Sequence, residues 1–208
     1  MNLKIKRLIS DCITDLIDNN ISVELVHEKF IDVDCGKGSG YYNCSVLKCA
    51  TKWPLEYWID VFTHEYCHFR QEKDKYEGFV TNSCESRFDR YVTKKDYNPP
   101  SILNTIRKIQ TMELDCEIRS TDLMKRYELD FNFPRIIQRK NAYVYGYTAM
   151  HKMKKWYKTP PSSIKEIVNL MPDVFLKPEQ YYTIPDYLHR MYKEHCLKLN
   201  QDNEKFDV

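Results

Sequence analysis

Apolar residues near the start of the chain fall at Leu3, Leu8, Ile9, Cys12, Ile13, Leu16 and Ile17. That spacing is helical and predicts an amphipathic helix packed on the domain. Val23, Leu25 and Val26 then predict a strand within residues 21–30, with a further short piece near Ile31–Val33. Residues 35–40 read Cys-Gly-Lys-Gly-Ser-Gly and hold three of the five glycines, so a turn or moving loop is expected there. Residues 41–51, rich in Tyr, Val and Cys, read as a second strand. From Pro54 the pattern changes to helix: Pro54 suits a first turn, and no breaker follows through about Lys73. Residues 74–100 are polar and aromatic and close on Asn98-Pro99-Pro100, a boundary. Ser101 is placed to cap a long helix running to about Tyr127. A third helical block covers residues 134–157 and stops at Thr159-Pro160-Pro161. Ser162 or Ser163 opens a short helix, a last one spans residues 185–199, and a frayed polar tail follows Asn200. The class is α+β, a small N-terminal sheet followed by mostly helix, with no internal repeat.

Composition narrows the picture. A chain of 208 residues with 42% hydrophobic and 13% aromatic content can build a proper core, and is expected to form a single domain over 1–208. The sheet and first long helix would occupy 1–100, and the helical part 101–200. Lys plus Arg number 32 against 30 Asp plus Glu. That balance argues against a dedicated nucleic-acid binder, which would show a basic stripe. The local cluster Lys152, Lys154, Lys155 and Lys158 reads as a solvated helix face. Asp11, Asp15 and Asp18 break up anything like a signal-peptide core, and no run is long enough to span a bilayer. Eight cysteines occur without a CxxC pair, so they are read as reduced thiols of a cytoplasmic protein. Cys35, Cys44 and Cys49 have no standard zinc-knuckle spacing and are read as small hydrophobes.

The chemistry concentrates at His64-Glu65-Tyr66-Cys67-His68, an HExxH inside a predicted helix. Residues at i and i+4 lie on one helix face, so both imidazoles can reach one Zn²⁺. Glu65 then stands beside a metal-bound water as general base. A catalytic zinc takes three protein ligands and keeps one open position. The extended form HExxHxxGxxH is absent, because Gln71 replaces its glycine and Asp74 its third histidine. Asp74 lies between two lysines near the helix end, so the better candidates are Glu85, Glu113 and Glu117. Glu113 and Glu117 share a face of the helix opened by Ser101. One of them could bind zinc while the other orients a ligand histidine.

HExxH followed by a helical E-x-x-(small)-(D/E) resembles the gluzincin metallopeptidases. Glu113-Leu114-Asp115-Cys116-Glu117 matches with Cys for Ala and Glu for Asp. The resemblance implies a zincin-like fold, one catalytic zinc held by His64, His68 and Glu113, and Glu117 as an acid behind the ligands. Cys116 leaves a thiolate ligand as an alternative. Cys44, the following strand, the HExxH with Gln71 and the Glu-Leu-Asp-Cys-Glu helix are also similar to small soluble metallopeptidase-like proteins of bacteriophage genomes, which implies the host cytoplasm. The expected activity is peptide-bond hydrolysis, with a protein or peptide substrate and no nucleic acid or membrane partner. The alternative is a zincin-fold regulatory or partner-binding protein with little peptidase activity. Tyr143, Tyr147 and His151 share a helix face and offer either an oxyanion donor or aromatic core packing. Residues 41–51 could serve as the edge on which an extended peptide lies.

Overall fold

The computed structural model describes residues 2–33, 36–80, 82–94 and 96–197. The fold is α+β, and the described residues divide into two compact units. The first takes the described parts of Met1–Phe79 and Cys116–Phe131, the second those of Val80–Asp115 and Asn132–Val208.

The first unit opens with helix α1 (Leu3–Asp18), whose Asn2 side chain accepts the Lys4 N–H at 3.0 Å as N-cap. Ile5, Leu8, Ile9, Cys12 and Leu16 are its buried stripe, at the spacing a helix needs to cover a core, whereas Leu3 and Ile17 are exposed. Strand β1 (Ser22–Val26) pairs in parallel with β5 (Val46–Ala50), which pairs antiparallel with β4 (Gly40–Tyr42). The sheet order is therefore β1-β5-β4, with β5 in the middle and β4 outermost. A separate hairpin joins β2 (Ile31–Val33) to β3 (Gly36–Gly38).

Two expectations are corrected here. The single strand over residues 41–51 is a hairpin, because Asn43 and Ser45 form a turn and Cys44 between them adopts a left-handed φ of 53°. Asn43 Oδ1 accepts both the Val46 N–H (3.1 Å) and the Ser45 hydroxyl (3.0 Å), which fixes that turn. The glycine-rich stretch is not only loop, since Gly36–Gly38 is paired as β3. Cys35 and the tail after Asn200 lie outside the described residues.

Helix α2 (Leu55–Lys73) carries the HExxH and packs on β4 and β5. Ile59, Phe62 and Phe69 bury its core face. Its far end is fastened to α1: Tyr66 and Lys73 donate to the two oxygens of Asp15 at 2.7 and 2.8 Å. Burial opposes ionisation of Asp15, but these bonds outweigh it and hold the carboxyl below its ordinary value. A carboxyl with a depressed folded pKa stabilises above its unfolded pKa and loses that contribution as pH falls through the folded one. Asp15→Asn should therefore lower stability by about 1–3 kcal/mol at pH 7. The difference in Tm between the two proteins should shrink toward zero in a series run down through the carboxylate range.

The second unit contains α3 (Asn82–Thr93), the first part of α4 (Ile102–Arg126), α5 (Phe133–Met153) and the short helices α6 (Lys165–Val168), α7 (Pro178–Tyr181) and α8 (Asp186–Cys196). A 3-10 turn at Pro161–Ser163 precedes α6. Residues 74–100 thus include a helix that the sequence pattern left unassigned. Its buried Phe88, Tyr91 and Val92 supply the missing i, i+3, i+4 face. Ser101 precedes α4 as expected, and its hydroxyl accepts Arg87 Nη1 at 3.1 Å. Helix α5 is capped by Asn132, with Pro134 in its first turn, and Lys154 in left-handed conformation ends it. Lys152, Lys154, Lys155 and Lys158 are all exposed. Among the described residues, no helix is long and apolar enough to cross a membrane.

Candidate metal centre

Because Ile59, Phe62 and Phe69 turn toward the core, His64, Glu65 and His68 emerge on a less buried face of α2. The two imidazoles stand edge to face, with ring centroids 4.6 Å apart and planes at 87°. Their Nε2 atoms approach to 3.0 Å. Each ring has its other nitrogen against an oxygen. His64 Nδ1 lies 3.3 Å from Glu117 Oε1, and His68 Nδ1 lies 3.0 Å from the side-chain oxygen of Gln71, which is fully buried.

Cys116, buried on the same turn of α4 as Glu117, donates its thiol to the His64 carbonyl at 3.1 Å and lies 3.6 Å from His64 Nδ1. The ligand atoms of His64, His68 and Cys116 all fall within 4.8 Å of one another, so these three could hold a metal ion. Burial disfavours the imidazolium of His64, but Cys116 and Glu117 beside it prevail and hold its pKa well above the ordinary histidine value.

Glu65 meets the sheet. A methyl group built on Gly40 of β4 would lie 2.6 Å from Glu65 Oε1, 2.6 Å from Val61 Cγ1 and 2.7 Å from Glu65 Cγ. Only a residue without a side chain lets the strand backbone come this close to the carboxylate. The neighbouring Tyr42 packs edge-on against Phe69 and donates its hydroxyl to Glu72, so β4 is also fastened to α2 on the C-terminal side of Glu65.

The other residues singled out in the sequence are placed as follows. Asp74 ends α2 and forms ion pairs with Arg70 and Arg119, each at 3.2 Å, a surface arrangement outside the histidine cluster. Glu117 is brought to His64. Glu113 stands one helical turn earlier on α4, is only 6% exposed and belongs to the second unit. There, burial first and then the Glu113 carboxylate hold the phenols of Tyr143 and Tyr147 well above the tyrosine range, and their hydroxyls share a 3.0 Å hydrogen bond. Glu85 is exposed on α3 of that same unit. His151 bonds Tyr91 at 2.9 Å, and Tyr147 stacks on Phe88, which is core packing. Cys49 behaves as a small hydrophobe: it is fully buried in β5 and burial pushes its thiol pKa up.

Sequence reading missed two contributors. Gln71 was seen only as a departure from the extended motif, although its position three residues after His68 already put it on the same side of α2. Gly40 was read as loop freedom, when its role is to make room. No protein-family model, curated protein or solved structure matches this chain.

Proposed function

We propose that the chain is a zincin-type, zinc-dependent peptide-bond hydrolase, with His64 and His68 as metal ligands and Glu65 as general base. One observation carries this reading: two imidazole Nε2 atoms face each other at 3.0 Å while the Nδ1 of His64 is turned to a carboxylate. Two Zn–N bonds of about 2.0–2.1 Å at a tetrahedral angle place their nitrogens about 3.3 Å apart, so the pair fits one zinc with little adjustment. The donors, two imidazoles with a carboxylate behind the first, suit that metal.

The resemblance in sequence makes Glu113 the third ligand, which would give the two-histidine, one-carboxylate set of a catalytic centre with an open position. When bound, zinc supplies Lewis-acid polarisation of the scissile carbonyl and acidifies the attacking water. Glu65 accepts that water's proton at its carboxylate and returns it to the leaving amine. Its position against Gly40 keeps the side chain from swinging into the sheet. The outermost strand β4 offers a backbone along which an extended peptide can lie beside Glu65, whereas β5 is already paired on both sides. The proposed peptide edge is therefore Gly40–Tyr42 in place of residues 41–51.

A second reading is favoured by the buried Cys116 thiol. If its thiolate joined His64 and His68 in place of Glu113, the two-histidine, one-carboxylate centre would fall, and the protein would be a partner-binding zincin with little peptidase activity. Zinc stoichiometry and cleavage of a peptide library, measured side by side on wild type and Glu65→Gln, separate the two. A wild type that binds one zinc yet cleaves nothing, with Glu65→Gln indistinguishable from it, removes the hydrolase reading.

Gly40→Ala gives an independent check on Glu65. The added methyl must displace the carboxylate or lift β4, an overpacking that costs about 1–3 kcal/mol. Misplacing a catalytic group by about 1 Å can cost about 10²-fold in rate, so hydrolysis should drop to that extent while zinc content is kept. Wild-type turnover in Gly40→Ala would mean that the position of Glu65 does not matter.

A further inference from the structure

We infer that Gln71 is a positioning residue of the metal centre: its buried amide oxygen holds the Nδ1–H of His68 and thereby turns the Nε2 lone pair of His68 toward His64 Nε2. The inference rests on the metal reading given above and adds the group that makes the two-histidine pair a cation site.

The argument is one of proton placement. On His64 the Nδ1 faces Glu117 Oε1 at 3.3 Å, which leaves Nε2 as the atom turned to His68. His68 is the ring with a choice. Gln71 Oε1 stands 3.0 Å from its Nδ1, on the same helix three residues further on, and the amide is fully buried. With the amide oxygen in that place, the proton of His68 is on Nδ1 and its Nε2 lone pair faces His64 Nε2 at 3.0 Å. That lone pair can take a proton from His64 Nε2 or, in its place, a metal ion shared by the two rings.

Were the amide turned over, its NH2 would donate to Nδ1 and the proton of His68 would move to Nε2. The two rings would then close on each other through an Nε2–H···Nε2 hydrogen bond, with no place for a metal. A glutamine, unlike the glutamate at 117, can serve either state, so the packing that fixes its orientation decides between a metal site and a closed histidine pair. The two rings therefore have different supports: a carboxylate for His64 and a neutral amide for His68. The second arrangement fixes the tautomer without adding charge.

Zinc titration of the full chain, followed by calorimetry, tests this on wild type, Gln71→Met, Gln71→Glu and His64→Ala. Gln71→Glu keeps an acceptor in place and should bind zinc at least as tightly as wild type. Gln71→Met keeps the volume but not the acceptor and should weaken binding about 10–100-fold. Long-range ¹⁵N–¹H spectra of metal-free wild type read the tautomer directly, whatever the fate of the variants, and should place the His68 proton on Nδ1. Zinc binding by Gln71→Met equal to that of wild type, or a His68 proton on Nε2, overturns the inference and leaves the metal reading intact. If wild type and His64→Ala alike fail to bind zinc, the metal reading falls and this inference with it.

Discussion

Glu65→Gln is expected to lower peptide hydrolysis about 10²–10⁴-fold, the usual worth of a positioned general base, while leaving one zinc per chain. The substitution is nearly isosteric and keeps the fit against Gly40 and Val61. What it removes is the ability to take a proton from the attacking water. Zinc would still polarise the carbonyl, so a residual rate above background should persist. Kinetics on a cleaved peptide, with metal analysis of the same samples, gives the result. A loss of zinc in Glu65→Gln would show that the carboxylate holds the metal and does not act on the water. An unchanged rate would remove Glu65 from the chemistry altogether.

The largest effect on binding should come from His64→Ala. Removing a primary donor should weaken zinc binding by more than the 10–100-fold typical of an orienting residue. The stability that zinc confers goes with it: a ligand at about 1,000 times its Kd stabilises the folded state by about 4 kcal/mol, and the variant should show no shift of Tm on adding zinc or chelator. The same titration decides the third ligand. Glu113→Ala should lose zinc nearly as completely as His64→Ala, and Cys116→Ser should retain it. The opposite order would make Cys116 the third ligand beside His64 and His68 in place of Glu113. Removing Cys116 also removes a hydrogen bond to the His64 carbonyl, so Cys116→Ser is the fairer variant, because serine can still donate there.

How far the sequence carried differs between elements for physical reasons. Helices α1, α2, α4 and α5 were legible because each buries a long stripe, such as Leu8, Cys12 and Leu16, whose period survives in the bare sequence. The hairpin of β4 and β5 was not, since Val46–Ala50 and Gly40–Tyr42 are short and the turn rests on the side chain of Asn43. Helix α3 was overlooked because its buried Phe88, Tyr91 and Val92 sit in a run of charges. At the site, His64, Glu65 and His68 could be read because their geometry is local to one helix. The approach of Gly40 to Glu65 depends on a strand from elsewhere in the chain, and no spacing rule reports it. The spacing left Glu113 and Glu117 exchangeable, and only the family resemblance pointed to Glu117 as the acid behind a ligand histidine, where it meets His64.

Helix α4 runs unbroken from Ile102 to Arg126, with Glu113 in one unit and Cys116 and Glu117 in the other. Each residue of an α-helix advances about 1.5 Å and turns about 100°. Inserting or deleting one residue between Glu113 and Glu117 would swing the one carboxylate about a quarter turn around the rod relative to the other. Over descent, then, this four-residue interval should tolerate changes of side chain far better than changes of length. Gains and losses of residues are expected in the connection after Arg126 instead.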